Sequence, residues 1–439
     1  MRGVRLSRWS MSYFTAAIIS LLLAEVIWAL GLGNPLQDIG SAWVLVGVHL
    51  TTIGFLTLLM MGALHQFVPV LTETELASQT WSGVTFWSVT IGLAGMVGGF
   101  LALPTAIPGG IRPGLPWLLP LGGTLVVGGV TIALVNLGVT LKRAWPWTLS
   151  AWLVANGLAY LLVTVLAGLT FALAFADPML FPPSWLGVLG GRGLVAHVIG
   201  GVAGWLTLTA MGVSYKLLAM FTLSDEHRGL WGWTAYILTA VGIFGAWLGN
   251  WIGTNRWANI AWMLILLGLA LYLWDMRSLY RQRKRRRLEL NARFGIIGLG
   301  FLAVIIVVGL VGGLSGALGR IAVPLTFLAL YGWLGGLALT QIYKIVPFLT
   351  WLNQFGNRMG KGPTPRVQDL VNEERDWYAY VVYFGAITLG SVCLYTGWFI
   401  VFRVALGVAF IATLDIARGL YHAAHPKVKS IEVRAPRPV

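Results

Sequence analysis

Twelve stretches of this chain are apolar for long enough to cross a hydrocarbon core of roughly 30 Å, a thickness that takes about 20 helical residues. They lie at about 11–32, 41–71, 79–103, 115–141, 147–176, 193–223, 229–251, 257–276, 294–318, 321–351, 377–399 and 401–421. With 57% apolar and 10% charged residues the chain falls far below the charged share of about a quarter found in soluble domains. The expected fold class is therefore all-α: a polytopic membrane protein of about 12 transmembrane helices, built as a single domain over 1–439.

Three segments inside these spans repeat one another without gaps. Gly54-Phe55-Leu56 leads to His65-Gln66-Phe67-Val68-Pro69, Gly204-Trp205-Leu206 to Tyr215-Lys216-Leu217-Leu218-Ala219, and Gly332-Trp333-Leu334 to Tyr343-Lys344-Ile345-Val346-Pro347. They fall on spans two, six and ten, so the chain parses into three four-helix repeats at about 1–145, 146–292 and 293–425, followed by a cytoplasmic tail at 426–439. Membrane proteins built from repeats commonly place their site where the repeats meet.

Lys and Arg resist transfer across the bilayer, and their distribution sets orientation. An internal N-terminus puts Arg2, Arg5, Arg8, Lys142, Arg143, Arg228, the run Arg277 to Arg293, Arg358, Lys361, Arg366, Arg375 and the tail from Arg418 to Arg437 inside. Only Arg112, Arg192, Arg256, Arg320 and Arg403 are left outside. Both termini are expected in the cytoplasm, in a bacterial or archaeal-type plasma membrane. The net charge of +15 is accounted for by topology and contact with lipid headgroups, with no nucleic acid implied. The one cysteine, Cys393, supports neither a disulfide framework nor a thiolate metal cluster. Span one reads as a retained helix and the loop Pro104 to Pro116 as an external connection that its prolines keep from being helical.

Two histidines carry most of the functional signal. Spans two and six run in the same direction, which places His49 and His197 one to two turns below the outer surface at nearly equal depth. Two neutral imidazoles in that relation suit the axial coordination of a b-type haem. Gly200 and Gly201, three and four residues past His197, are candidates to open a slot on its face. Arg192 and Arg320 occupy equivalent repeat positions at the outer ends of spans six and ten, where a guanidinium can pair with a propionate in bidentate fashion. His65 lies 16 residues after His49, about 24 Å along the helix and roughly 160° around it, so one face cannot present both. Tyr215 and Tyr343 take its place in the other repeats. All three are expected to face protein near the inner leaflet, since lipid offers a polar head no partner. His65 is a candidate for proton uptake or quinol binding.

The pattern resembles the subunit I family of haem-copper oxidases and nitric oxide reductases, which has twelve helices in three four-helix arcs and metal-ligating histidines on the second, sixth, seventh and tenth. By that resemblance His49 matches the second-helix ligand of the low-spin haem and His197 the sixth-helix histidine that binds copper. The chain departs from the family at span seven, which holds no histidine, and at span ten, where Leu325 and Phe327 stand where His197 and His49 have their counterparts. Gly201 occupies the position of the crosslinked tyrosine. The resemblance therefore implies a divergent relative without a complete oxygen- or nitric-oxide-reducing centre and without copper. Its expected role is to bind haem b through His49 and His197 and take part in respiratory electron transfer, with other respiratory subunits or quinol as partners.

Two other readings use different residues. A proton-coupled transporter needs an intramembrane carboxylate lining a path, and Glu25 in span one has no local partner. Asp415 is matched locally by Arg418 and Asp275 by Arg277. A scaffold or assembly subunit of a respiratory complex needs none of these groups. His422 and His425, spaced i,i+3, lack a third ligand.

Overall fold

The computed structural model describes residues 8–103, 115–225, 229–254, 257–358 and 364–426. Arg2, Arg5, Arg112, Arg228, Arg256, Lys361, most of the Pro104 to Pro116 loop and the tail beyond 426 lie outside these. Twelve helices are long and apolar enough to span a bilayer: α1 Ser10–Leu30, α2 Ala42–Thr72, α3 Gln79–Leu101, α4 Leu115–Lys142, α5 Leu149–Ala176, α6 Pro183–Thr222, α7 Leu230–Ile252, α8 Ala258–Arg281, α9 Leu290–Leu314, α10 Leu318–Arg358, α11 Glu373–Thr396 and α12 Phe399–Ala424. No strand occurs among the described residues. Helices leave no backbone group unpaired in hydrocarbon, which is why an apolar chain of this kind resolves into them.

In each set of four consecutive helices the third and fourth form an extensive antiparallel pair, α3 with α4, α7 with α8 and α11 with α12. Small residues allow this approach: a Cβ on Gly122 would lie 2.5 Å from the Gly92 carbonyl oxygen. The second helix of each set, α2, α6 or α10, touches the other three of its own set. These second helices also meet one another at the bundle axis, while α12 packs on α1 and closes the ring.

The three axial helices share a local device. Each widens into a π-helical stretch, at Leu50–Thr57, Ile199–Thr207 and Leu328–Gly335. Gly54, Gly204 and Gly332 lie inside these stretches and face the first helix of their own set. A Cβ there would meet Ser20 at 2.6 Å, Tyr160 at 2.4 Å and Phe301 at 2.9 Å. At the axis Trp205 Nε1 donates to Thr57 Oγ1 at 2.9 Å, and a Cβ on Gly335 would lie 3.2 Å from the Phe55 ring. The centre of the bundle is closed by side chains.

α6 begins ten residues earlier than the hydropathy suggests. The Leu189-Gly-Gly-Arg-Gly193 run, most of it ahead of the span read at 193–223, is itself a π-helical turn that continues the helix from Pro183. Proline at a first helical position costs nothing because its missing N–H would be unpaired anyway.

Candidate functional site

His49 ends the α-helical part of α2 and His197 precedes the π stretch of α6 by two residues. Their heights can be compared through the hydrogen bond between the two helices. His49 is eight residues before Thr57 and His197 eight before Trp205, the two residues joined at 2.9 Å, so the imidazoles sit level with each other. α2, α3, α4, α5 and α6 pack in sequence, and α6 returns to α2. His49 enters this ring against Phe100 of α3, ring centroids 4.9 Å apart, and His197 enters it against Phe171 of α5 at 5.5 Å. The two half-buried histidines are within reach of one another's charge.

Their hydrogen bonding is unequal. His49 Nδ1 lies 2.7 Å from the Leu45 carbonyl. A carbonyl only accepts, so Nδ1 carries the proton and Nε2 keeps its lone pair, the arrangement of an imidazole ready to ligate. His197 Nδ1 has no hydrogen-bond partner among the described residues, while the ring approaches the Thr164 backbone of α5. Beside it, Gly168 leaves room: a Cβ there would lie 3.3 Å from His197 Cε1. Gly200 and Gly201 do not provide that room. Both press on Thr164 of α5, with Gly200 also near Trp247, so the helix face they occupy is packed shut. Two half-buried imidazoles, each beside one aromatic ring, make this the candidate two-histidine site.

The cations lie apart from the imidazoles. Arg192 is exposed and lays its guanidinium on Gly253 in the α7–α8 connection, and Arg320 stacks over the ring of Tyr395 at 5.2 Å. Neither contacts a histidine among the described residues.

His65, Tyr215 and Tyr343 are all buried in protein. His65 Nδ1 donates to the Met61 carbonyl at 2.7 Å and its ring lies 5.5 Å from that of Tyr13. Tyr215 donates to Asp275 at 3.0 Å and Tyr343 to Asp376 at 2.7 Å. Asp275 is thus held by a tyrosine of the neighbouring helix, and Arg277 lies over the Trp274 ring at 5.7 Å. Asp415 is bound by Arg375 of α11 at 2.7 Å instead of by Arg418, because the α11–α12 pair places that guanidinium directly opposite.

Glu25 is fully buried. Its Oε1 accepts from Thr413 of α12 at 2.9 Å. Close by, Trp28 Nε1 donates to Tyr331 Oη at 2.8 Å, and Tyr331 meets Thr51 Oγ1 at 2.7 Å. Thr51 spends its own hydrogen on the Gly47 carbonyl, so the tyrosine is the donor. This clasp of α1, α2 and α10 was invisible in the sequence, where tryptophan, tyrosine and threonine in apolar spans read as interfacial or filler residues. Phe327 stacks on Tyr331 at 4.8 Å, filling the position opposite α2. No group of three or more His, Cys, Asp or Glu side chains converges as a metal site among the described residues.

No protein-family model and no curated protein matches the chain. Among solved structures it is similar to a heme-copper terminal oxidase determined as a dimer by cryo-EM, with a TM-score of 0.63 and 13% identity over 98% of this chain and 84% of that one. At that identity the likeness is one of fold: this is an integral membrane protein with the architecture of an oxidase subunit I.

Proposed function

We propose that this oxidase-like membrane protein holds one b-type haem between His49 and His197 and passes electrons in a respiratory chain, with quinol or other respiratory subunits as partners. The observation that carries the reading is the level placement of the two imidazoles inside the α2–α6 ring. In this role His49 presents Nε2, fixed by its Nδ1 bond to Leu45, and His197 presents a nitrogen from α6. Phe100 and Phe171 keep water from the imidazoles, which preserves their neutral, ligating form. Arg192, laid on Gly253, and Arg320, stacked over Tyr395, lie apart from the imidazoles, so propionate pairing would require both guanidinium groups to turn from these contacts. A haem bound this way would supply one-electron transfer.

The test is the optical spectrum of purified protein, oxidised and dithionite-reduced. Reduced b-type bands are expected in the wild type and in His65→Ala, and are expected to be lost in His49→Ala and in His197→Ala. A wild type without such bands would refute the haem reading and leave the transporter or scaffold role.

A further inference from the structure

Glu25 stands on the opposite side of α2 from His49 and takes no part in the two-histidine site. Its carboxyl lies near the middle of α12's length, with no surface exposed. Each neighbouring helix can be asked what it offers. α12 supplies Thr413, a single donor to Oε1. α10 supplies Tyr331, whose hydrogen goes to Thr51 and whose oxygen accepts from Trp28. α11 supplies Tyr383, whose hydroxyl donates to the Tyr331 carbonyl at 2.9 Å. No Lys, Arg or His pairs with Glu25, and Oε2 has no hydrogen-bond partner among the described residues.

An ionised carboxylate would thus have one hydroxyl donor and no counter-ion inside a membrane. Desolvating such an anion costs far more than one hydrogen bond returns, and the group takes up a proton instead. Which oxygen carries it follows from the donor already present: Thr413 marks Oε1 as the carbonyl oxygen, leaving Oε2 as the hydroxyl. A buried hydroxyl is rarely left unbonded, and the protein offers it no acceptor, so a small oxygen ligand such as water has to fill that role.

We propose that Glu25 is a proton-binding site, a neutral carboxylic acid with its proton on Oε2, held by Thr413 and bonded outward to a buried water. The committed tyrosines keep it so, since neither can turn its hydrogen to the carboxyl without breaking the clasp on α2 or the bond to the α10 backbone. The site is independent of the haem reading, and its test needs no haem.

Infrared spectra of the purified protein should contain a protonated-carboxyl C=O stretch that moves to lower frequency in D2O. Glu25→Gln, which keeps size and neutrality, should retain the fold and lose that band. Thr413→Val should keep the band and move it to higher frequency, because the carbonyl loses its one hydrogen bond. A wild type lacking the band, or a band untouched in Glu25→Gln, would overturn the proposal. Should Glu25→Gln fail to fold, an unmoved band in Thr413→Val would overturn it as well.

Discussion

Replacing Tyr331 with Phe removes one oxygen from the clasp that joins α1, α2 and α10. The residue is 3% exposed, so solvent cannot substitute for what is lost. Trp28 Nε1, which donated to it at 2.8 Å, becomes a buried donor without an acceptor; Thr51 keeps its own bond to Gly47. An orphaned buried donor costs about 1–3 kcal/mol. Interhelical hydrogen bonds measured within membranes average about 0.6 and reach about 1.7 kcal/mol. The two figures together place Tyr331→Phe at about 1–2 kcal/mol. Trp28→Phe removes the donor instead, and its additional cost is packing, since the indole fills the hollow over Gly47, where a Cβ would lie 2.5 Å away. In the double variant no donor is stranded, so its cost should fall short of the sum of the two by about 1 kcal/mol. Reversible unfolding in mixed micelles, titrated with denaturing detergent, measures all three. Additivity within about 0.5 kcal/mol would mean that the residues do not act as a unit, and the clasp would be refuted.

Gly204→Ala should destabilise the same fold by about 1–3 kcal/mol through overpacking, because its Cβ would lie 2.4 Å from Tyr160 Cγ, and Tyr160→Ala should relieve much of that. Gly128→Ala, which meets nothing within 4 Å, serves as the control and should be neutral or stabilising in the same unfolding titration. Glu289, just outside α9, loses solvation on burial, but hydrogen bonds from Lys344 and Gln368 and the charges of Lys344 and Arg285 outweigh this and hold its carboxyl below the usual range. A depressed folded-state value means stability that is present above the ordinary glutamate value of about 4.3 and is lost as pH falls through the folded one. The thermal midpoint should therefore drop on acidification from about pH 5, and Glu289→Gln should flatten that part of the profile.

The parts of this fold that could be read in the sequence are those set by solvent. Apolar length alone places twelve spans, because lipid penalises every other arrangement of the backbone. Errors arise where neighbours decide. The glycines at 190 and 191 lie ahead of the apolar span, yet the helix runs through them as a π-helical turn in which only Gly193 meets a packed neighbour, Trp251. Asp415 has a nearer cation in sequence than in space, since three residues along one helix is no closer than the facing side of a packed pair. The equal sequence offset of His49 and His197 from the contact between Thr57 and Trp205 reflects the gapless repeat, which the sequence displays. What each imidazole touches depends on Phe100, Phe171 and Gly168, residues whose types in an apolar helix carry no chemical signal. The clasp around Tyr331 joins residues 303 apart, and spacing along the chain cannot reveal it.

The packed axis also constrains where any charge can move. Trp205 bonded to Thr57 joins α6 to α2, and Phe55 against Gly335 joins α2 to α10, so the line along which the three axial helices meet is occupied by rings. Room for polar groups is therefore found between an axial helix and its outer neighbours. Two such spaces hold polar groups without partners, His197 Nδ1 in the α2–α6 ring and Glu25 Oε2 among α1, α10, α11 and α12. α2 separates them. His49 and Thr51 are two residues apart, roughly 200° around the helix, so α2 turns an imidazole toward one space and its clasp toward the other. The π stretch Leu50–Thr57 starts directly after His49 and includes Thr51. A wider helical turn there changes the angle between His49 and the residues that follow it, while the ring itself is held from the other side by the Leu45 carbonyl and Phe100.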